Sequence, residues 1–198
     1  MLFTMAVIIP LLIVNSIAFE SYYQYTQIYS YMLEPAVVAL GFPLYQQIQT
    51  IKQNTKPILV SLAVGIAIAI ATNVGLGMWL LGNEGVSVSL ALKSVTTPIG
   101  LALTEQLDGI AALTAVGIIV AGLAGGIFGI QFLNATGIHC KKSQGLAIGC
   151  ASHALGTATI SGKSSEHGAY SSLALIVSAM LTALCAPIII TLMLTFMR

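Results

Sequence analysis

Gln144-Gly145-Leu146-Ala147-Ile148-Gly149-Cys150-Ala151-Ser152-His153-Ala154-Leu155-Gly156-Thr157-Ala158 is the stretch on which the reading of the whole chain turns. It is apolar enough for a bilayer, yet small residues and hydroxyls crowd it and a histidine stands at its centre. In hydrocarbon every polar side chain and every loosened backbone group needs a partner, so this segment is expected to be buried against protein, lining a cavity or a helix–helix contact.

The surrounding composition agrees. The 198 residues are 57% hydrophobic and 7% charged with a mean hydropathy of +0.96, whereas a soluble domain carries roughly a quarter charged residues. Apolar runs over 57–81, 110–133 and 170–196 reach the ~20 residues a helix needs to cross the hydrocarbon core. No alternating ~10-residue segments point to a barrel. A net charge of +1 and a pI near 7.7, with no basic patch interleaved with aromatics, set nucleic acid aside. The run 5–19 has the length of a signal-peptide core but lacks a basic lead and a cleavage pattern, so it reads as a retained or truncated span. Tyr22, Tyr23, Tyr25, Tyr29 and Tyr31 follow it as an interfacial aromatic belt. Cys140, Cys150 and Cys185 are odd in number and unpatterned, and His139 and His167 sit near segment ends, so no disulfide framework, metal site or cofactor is expected and both histidines read as interfacial.

Two further segments resemble the opening one in being too interrupted for plain spans. One runs over 33–47, where Pro43 removes a helical hydrogen bond and Gly41 permits close approach; the other runs over 90–102, broken at Pro98. The second lies over the opening segment at an offset of 56 residues, with Leu90-Ala91-Leu92 on Leu146-Ala147-Ile148, Thr96 on Ser152, Thr97 on His153 and Gly100 on Gly156. This is a weak internal repeat, and paired interrupted segments point to a transporter's binding site. If both turn back rather than cross, Lys52, Lys56, Lys141, Lys142 and Lys163 share one face, the cytoplasmic one by the positive-inside rule, and the two units are inverted. The glycines Gly122, Gly125, Gly126 and Gly129 suit an internal seam and a dimer interface equally.

Charges in the membrane cost roughly 2.5–3.5 kcal/mol each, so each calls for a reason. Glu34, before Pro35, either stabilises a helix N-terminus or exchanges a proton. Lys93 either snorkels to the interface or draws in an anion. Ser94, Thr96 and Thr97 before Pro98, and Ser152, His153 and Thr157 around Gly156, either bond back to helical carbonyls or, with the N–H groups freed at the breaks, hold a carboxylate. His153, the one histidine deep in an apolar segment, is a candidate proton carrier or a structural hydrogen-bonder. An enzyme is not expected, because neighbours on a helix such as Ser152 and His153 do not face each other and no nucleophile elbow surrounds them.

The stretches 34–45, 93–99 and 145–157, in that order and spacing, resemble the LrgB/CidB family over nearly the whole chain. The family more often has glycine where Glu34 stands, and usually a further apolar helix ahead of this chain's first residues. The resemblance implies two functions. One is an antiholin-like modulator of murein hydrolase activity and lysis, working with LrgA/CidA holin-like partners; the other, shared with the plastid glycolate/glycerate translocator, is transport of small carboxylates such as glycolate, glycerate or pyruvate.

The expectation is therefore an all-α polytopic protein of the bacterial inner membrane, residues 1–198 forming one LrgB-like transmembrane domain, with long spans and broken or re-entrant helices. It is a carrier of small monocarboxylates with a holin-like partner and possible self-association. Lys93, Ser94, Thr96, Thr97 and Pro98 face Ser152, His153, Gly156 and Thr157 across the site, with His153 and Glu34 as proton-coupling candidates.

Overall fold

The computed structural model describes residues 2–18, 21–22, 24–28, 31–32, 35, 41–46 and 48–197. Glu34, and with it most of the interrupted segment ahead of Gly41, lies outside them. Every regular element among the described residues is helical, and two compact units are distinguished, Met1–Ala39 and Leu40–Arg198. The first contains α1 (Leu2–Val14), with Pro10 inside it.

The second unit carries α2 (Gly41–Gln46), α3 (Ile48–Gln53), α4 (Thr55–Leu81), α5 (Glu84–Ala91), α6 (Thr97–Gln106), α7 (Ala111–Ala135), α8 (Lys141–Ser161) and α9 (Ser165–Met197). Three of these, α4, α7 and α9, are long and apolar enough to span a bilayer, and they contain the runs expected at 57–81, 110–133 and 170–196 to within one residue. Each buries one stripe. On α4 it is Ile58, Leu62, Ile66, Ile70 and Val74, one residue per turn, packed on Tyr170, Ala174, Ala186 and Ile190 of α9. The opposite flanks are as apolar as the cores: Val60, Val64 and Ile68 on α4, and Met180, Leu184, Ile188 and Leu192 on α9, stand exposed. A helix apolar all round is one whose outer side meets lipid.

Between the spans the chain twice goes in and comes back. Gly82 closes α4 in the left-handed conformation, its N–H reaching the Met78 carbonyl at 2.9 Å, and the Asn83 side chain caps α5 by accepting from Val86 N–H. α5 descends, α6 returns, and the exit lies beside the entrance: Ser89 Oγ accepts the Ile110 N–H at 2.7 Å while donating to the Gly85 carbonyl at 2.6 Å. The second return is inside α8. His153 there has φ 41° and ψ −138°, and the limbs 141–152 and 154–161 fold together about it. Both limbs lie on the first turns of α9: Gly145 and Gly149 against the backbone from His167 to Ser171, Ser161 against Gly168, and Thr157 Oγ1 on Ser171 Oγ at 2.8 Å. Ser152 and Ile148 back onto Gly156, limb on limb.

α7 runs between the two hairpins. Its start at Ile110 is the mouth of the first; its end is the mouth of the second, where Gln144 Nε2 donates to Asn134 Oδ1 and the Ile138 carbonyl, both at 2.7 Å. The hairpins therefore enter from opposite ends of the bundle, as an inverted pair. The repeat offset survives in the structure, since Thr97, first residue of α6, and His153, the break in α8, are 56 residues apart. Charge follows the same division. Lys52, Lys56, Lys141, Lys142 and Lys163, with Glu166, lie at the second hairpin's mouth, and Glu84, Glu105 and Asp108 at the first.

This topology is checked by labelling. With Cys150 and Cys185 changed to Ala, a membrane-impermeant maleimide applied to sealed vesicles of one orientation is expected to reach either the exposed Cys140 or an introduced Asp108→Cys, never both; labelling of both from one side contradicts it. Packing gives a second check. A methyl group on Gly149 would strike the Ser171 backbone, while one on Gly65 meets open space. Gly149→Ala is expected to cost about 1–3 kcal/mol and lower the thermal midpoint in detergent, with Gly65→Ala unchanged or slightly raised.

Candidate functional site

The two hairpin tips arrive at the same level of α7. A methyl on Gly117 would touch the Lys93 stem, Gly100 packs under the Ile118 side chain, and His153 Nε2 lies 2.8 Å from the Ile118 carbonyl. A carbonyl only accepts, so Nε2–H donates and the other ring nitrogen is left as the acceptor or titrating atom. Below, the seam of α7 receives the second hairpin: Gly122 lies under the His153 ring and Leu155, Gly125 under Ser152, Gly126 under Thr159, and Gly129 under Ile148. The glycines form an internal seam. A left-handed, non-glycine residue costs about 1–3 kcal/mol, and the ring bond to Ile118 is one of the contacts holding His153 in that shape.

Beside the meeting point is a cavity of about 430 Å³. Its walls come from the middle of α4 (Ser61 to Ile70), the first tip (Ala91, Ser94, Val95), the inward limb of α8 (Ser143 to Ala151) and Thr182 of α9. Most of the lining is aliphatic, with four hydroxyls, Ser61, Ser94, Ser143 and Thr182, and the Cys150 thiol distributed over four elements. No lining residue is acidic or basic. Lys93 adjoins Ser94 at the tip, half-buried, with no ion pair among the described residues. The first turn of α6 starts there with Pro98 in it, and the N–H groups of such a turn have no helical partner. The chamber is thus sized and lined for a small, partly apolar molecule with a few hydrogen-bonding groups.

Of the residues expected to face one another, Ser94 lines this cavity. Thr96 is the extended residue before α6, with Thr97 and Pro98 exposed beyond it on the tip. Ser152, His153, Gly156 and Thr157 are buried but turned elsewhere, onto α7, α9 and their own hairpin. The wall opposite Ser94 is instead made by Leu146, Ala147, Cys150 and Ala151. This arrangement has a simple cause: a helix that reverses inside apolar surroundings must spend its polar groups on holding the reversal.

His167 also departs from the interfacial reading. It is buried, its Nε2–H donates to Gln144 Oε1 at 3.0 Å, and its Nδ1 accepts from the Ser164 hydroxyl at 2.8 Å, so one ring ties the incoming limb of the second hairpin to the turn after its outgoing limb. At the first hairpin, Thr104 gives its proton to the Gly100 carbonyl and so accepts from Thr114 Oγ1 at 2.7 Å. All three cysteines are free thiols, and among the described residues no cluster of three or more His, Cys, Asp or Glu is placed to hold a metal.

The model of the LrgB-like family matches residues 1–192. The chain belongs to the LrgB-like family. A Haemophilus influenzae protein is 34% identical over 194 residues, covering 98% of this chain and 84% of the relative. YwbG of Bacillus subtilis is 33% identical over 193 residues, 98% and 86% of the two chains. The holin-like protein CidB of Staphylococcus aureus is 31% identical over 186 residues, 93% of this chain and 81% of CidB. No solved structure matches. With the three spanning helices, membership makes this a membrane protein of the LrgB/CidB type.

Proposed function

We propose that this LrgB-like protein carries small monocarboxylates of the glycolate, glycerate or pyruvate type across the bacterial inner membrane, with the lysine-rich end cytoplasmic. The observation that carries the reading is the chamber of about 430 Å³ at the junction of two oppositely entering hairpins, walled mainly by aliphatic residues with four hydroxyls among them and no acidic side chain. A carboxylate bound there accepts from Ser94, while Lys93 and the first turn of α6, next to Ser94 in the chain but outside the chamber's lining, supply a compensating field. Ser143 and Thr182 contact the substrate's hydroxyl or keto oxygen, and Ser61, whose own proton goes to the Ile58 carbonyl at 2.9 Å, can only accept from a substrate hydroxyl. Thr96, Thr97 and Pro98 shape the tip. Ser152, His153, Gly156 and Thr157 serve the same site as the hinge of the second hairpin, whose movement exposes the chamber to one face and then the other. His153, through the ring nitrogen not bonded to Ile118, is the proton-coupling candidate on the described residues; Glu34 stands outside them.

A second reading rests on the holin-like name of the S. aureus relative: an antiholin-like modulator of murein hydrolase activity, associating with a small LrgA/CidA-type membrane partner. Its surface would be an outer flank of the spans, because Gly122, Gly125 and Gly129 of the seam already pack on His153, Ser152 and Ile148 of α8.

Flux of labelled glycolate or pyruvate into proteoliposomes, with and without a holin-like partner, separates the two. Losing one hydrogen bond to a charged group costs about 1.5–3 kcal/mol. Ser94→Ala is therefore expected to raise the half-saturation concentration about ten-fold or more, and Thr182→Val to alter preference between hydroxy and keto acids. Wild-type kinetics in both variants, or no flux under any condition alongside an intact effect on lysis, overturns the carrier reading.

A further inference from the structure

We infer that the cleft between α7 and the returning limb of α8 binds one anionic phospholipid, acyl chain inward and phosphate at Lys163. This cleft, of about 230 Å³, lies on the other side of the second hairpin from the larger chamber and is lined by Gly125, Gly126, Ile127, Ile130 and Gln131 of α7 and by Ile148, Gly156, Thr159, Ile160 and Lys163. Both of its walls run from bare to polar in the same direction. On α7 the order is Gly125 and Gly126 beside the hairpin tip, then isoleucines, then Gln131; on the returning limb it is Gly156, then Thr159 and Ile160, then Lys163. Lys163 and Gln131 are exposed at the end that also carries Lys52, Lys56, Lys141 and Lys142 against Glu166.

That gradient matches a lipid in one leaflet: hydrocarbon toward mid-membrane, an anionic headgroup at the cation-rich surface. The inner part offers a free anion nothing. The Thr159 hydroxyl is already committed to the Leu155 carbonyl at 3.0 Å, so the donors are Lys163 and Gln131 at the mouth alone. The cleft is open on its outer side, where Ile127, Phe128 and Phe132 are exposed on the flank of α7 that faces acyl chains. A lipid seated there braces the limb that turns at His153, which gives it a hold on the hairpin independent of what the larger chamber transports.

Native mass spectrometry of the full chain, equilibrated with phosphatidylglycerol or phosphatidylcholine of identical acyl chains, tests this without any transport assay. Wild type is expected to retain phosphatidylglycerol about five-fold over phosphatidylcholine, the factor one lysine contributes toward an anionic surface. Lys163→Gln brings the ratio to about one, Lys163→Arg preserves it, and the double change Lys141→Gln with Lys142→Gln leaves it standing. Thr159→Phe, at an exposed position beside Gly126 that narrows the cleft, lowers retention of both lipids. Equal retention of the two lipids by wild type, a ratio insensitive to Lys163→Gln, or displacement of phosphatidylglycerol by millimolar inorganic phosphate overturns the proposal, the last by making this a free-anion site.

Discussion

A helix that stops halfway through hydrocarbon leaves amide and carbonyl groups with no water to turn to, and the arrangement of residues 84–171 is built around supplying them with partners. Hydroxyls and imidazoles do it. Ser89 closes the first hairpin onto Ile110, Thr104 and Thr114 bond across its returning limb, and His153 ties the second tip to the Ile118 carbonyl while His167 gathers both ends of that hairpin. Glycine supplies the space: Gly145 and Gly149 let the inward limb lie on the α9 backbone, and the Gly122 to Gly129 seam lets α7 press onto the tip.

Holding the reversals in place has a consequence for chemistry. Polar groups committed to the fold are turned away from the chamber, and its lining is made by neighbours on the cavity side of the same elements: Ser94 rather than Thr97, and the Ala147 to Ala151 face of α8 rather than Ser152 and His153; under the proposed carrier function, recognition falls to them. The chamber gains further hydroxyls from α4 and α9, which are otherwise plain spans. Lys93 and the opening of α6 adjoin Ser94 without lining the chamber, and the acidic side chains Glu84, Glu105 and Asp108 are kept at the first hairpin's mouth, away from the wall.

Much of this was legible in the residues. Small residues and hydroxyls around His153, and the proline break after Thr97, mark interrupted helices because no lipid-facing span tolerates that composition; lysine placement then orients them, and the five lysines do fall at one end. The seam glycines were visible but not their partner, because close approach says nothing of what approaches. Ser61, Ser143 and Thr182 gave no signal, since a lone hydroxyl on an apolar helix ordinarily bonds back to its own turn. His167 was missed for a related reason. Its role exists only once Gln144 and Ser164, twenty residues apart, are brought together by a reversal that local pattern cannot supply.

The account depends on the two tips sharing one chamber. With the native cysteines removed, Ser94→Cys and Ala151→Cys, from opposite hairpins but the same wall, are to be treated with a short bifunctional thiol reagent and digested between them. The structure predicts an intramolecular cross-link that keeps the two fragments together. Efficient single labelling at each position with no cross-link between them would contradict it.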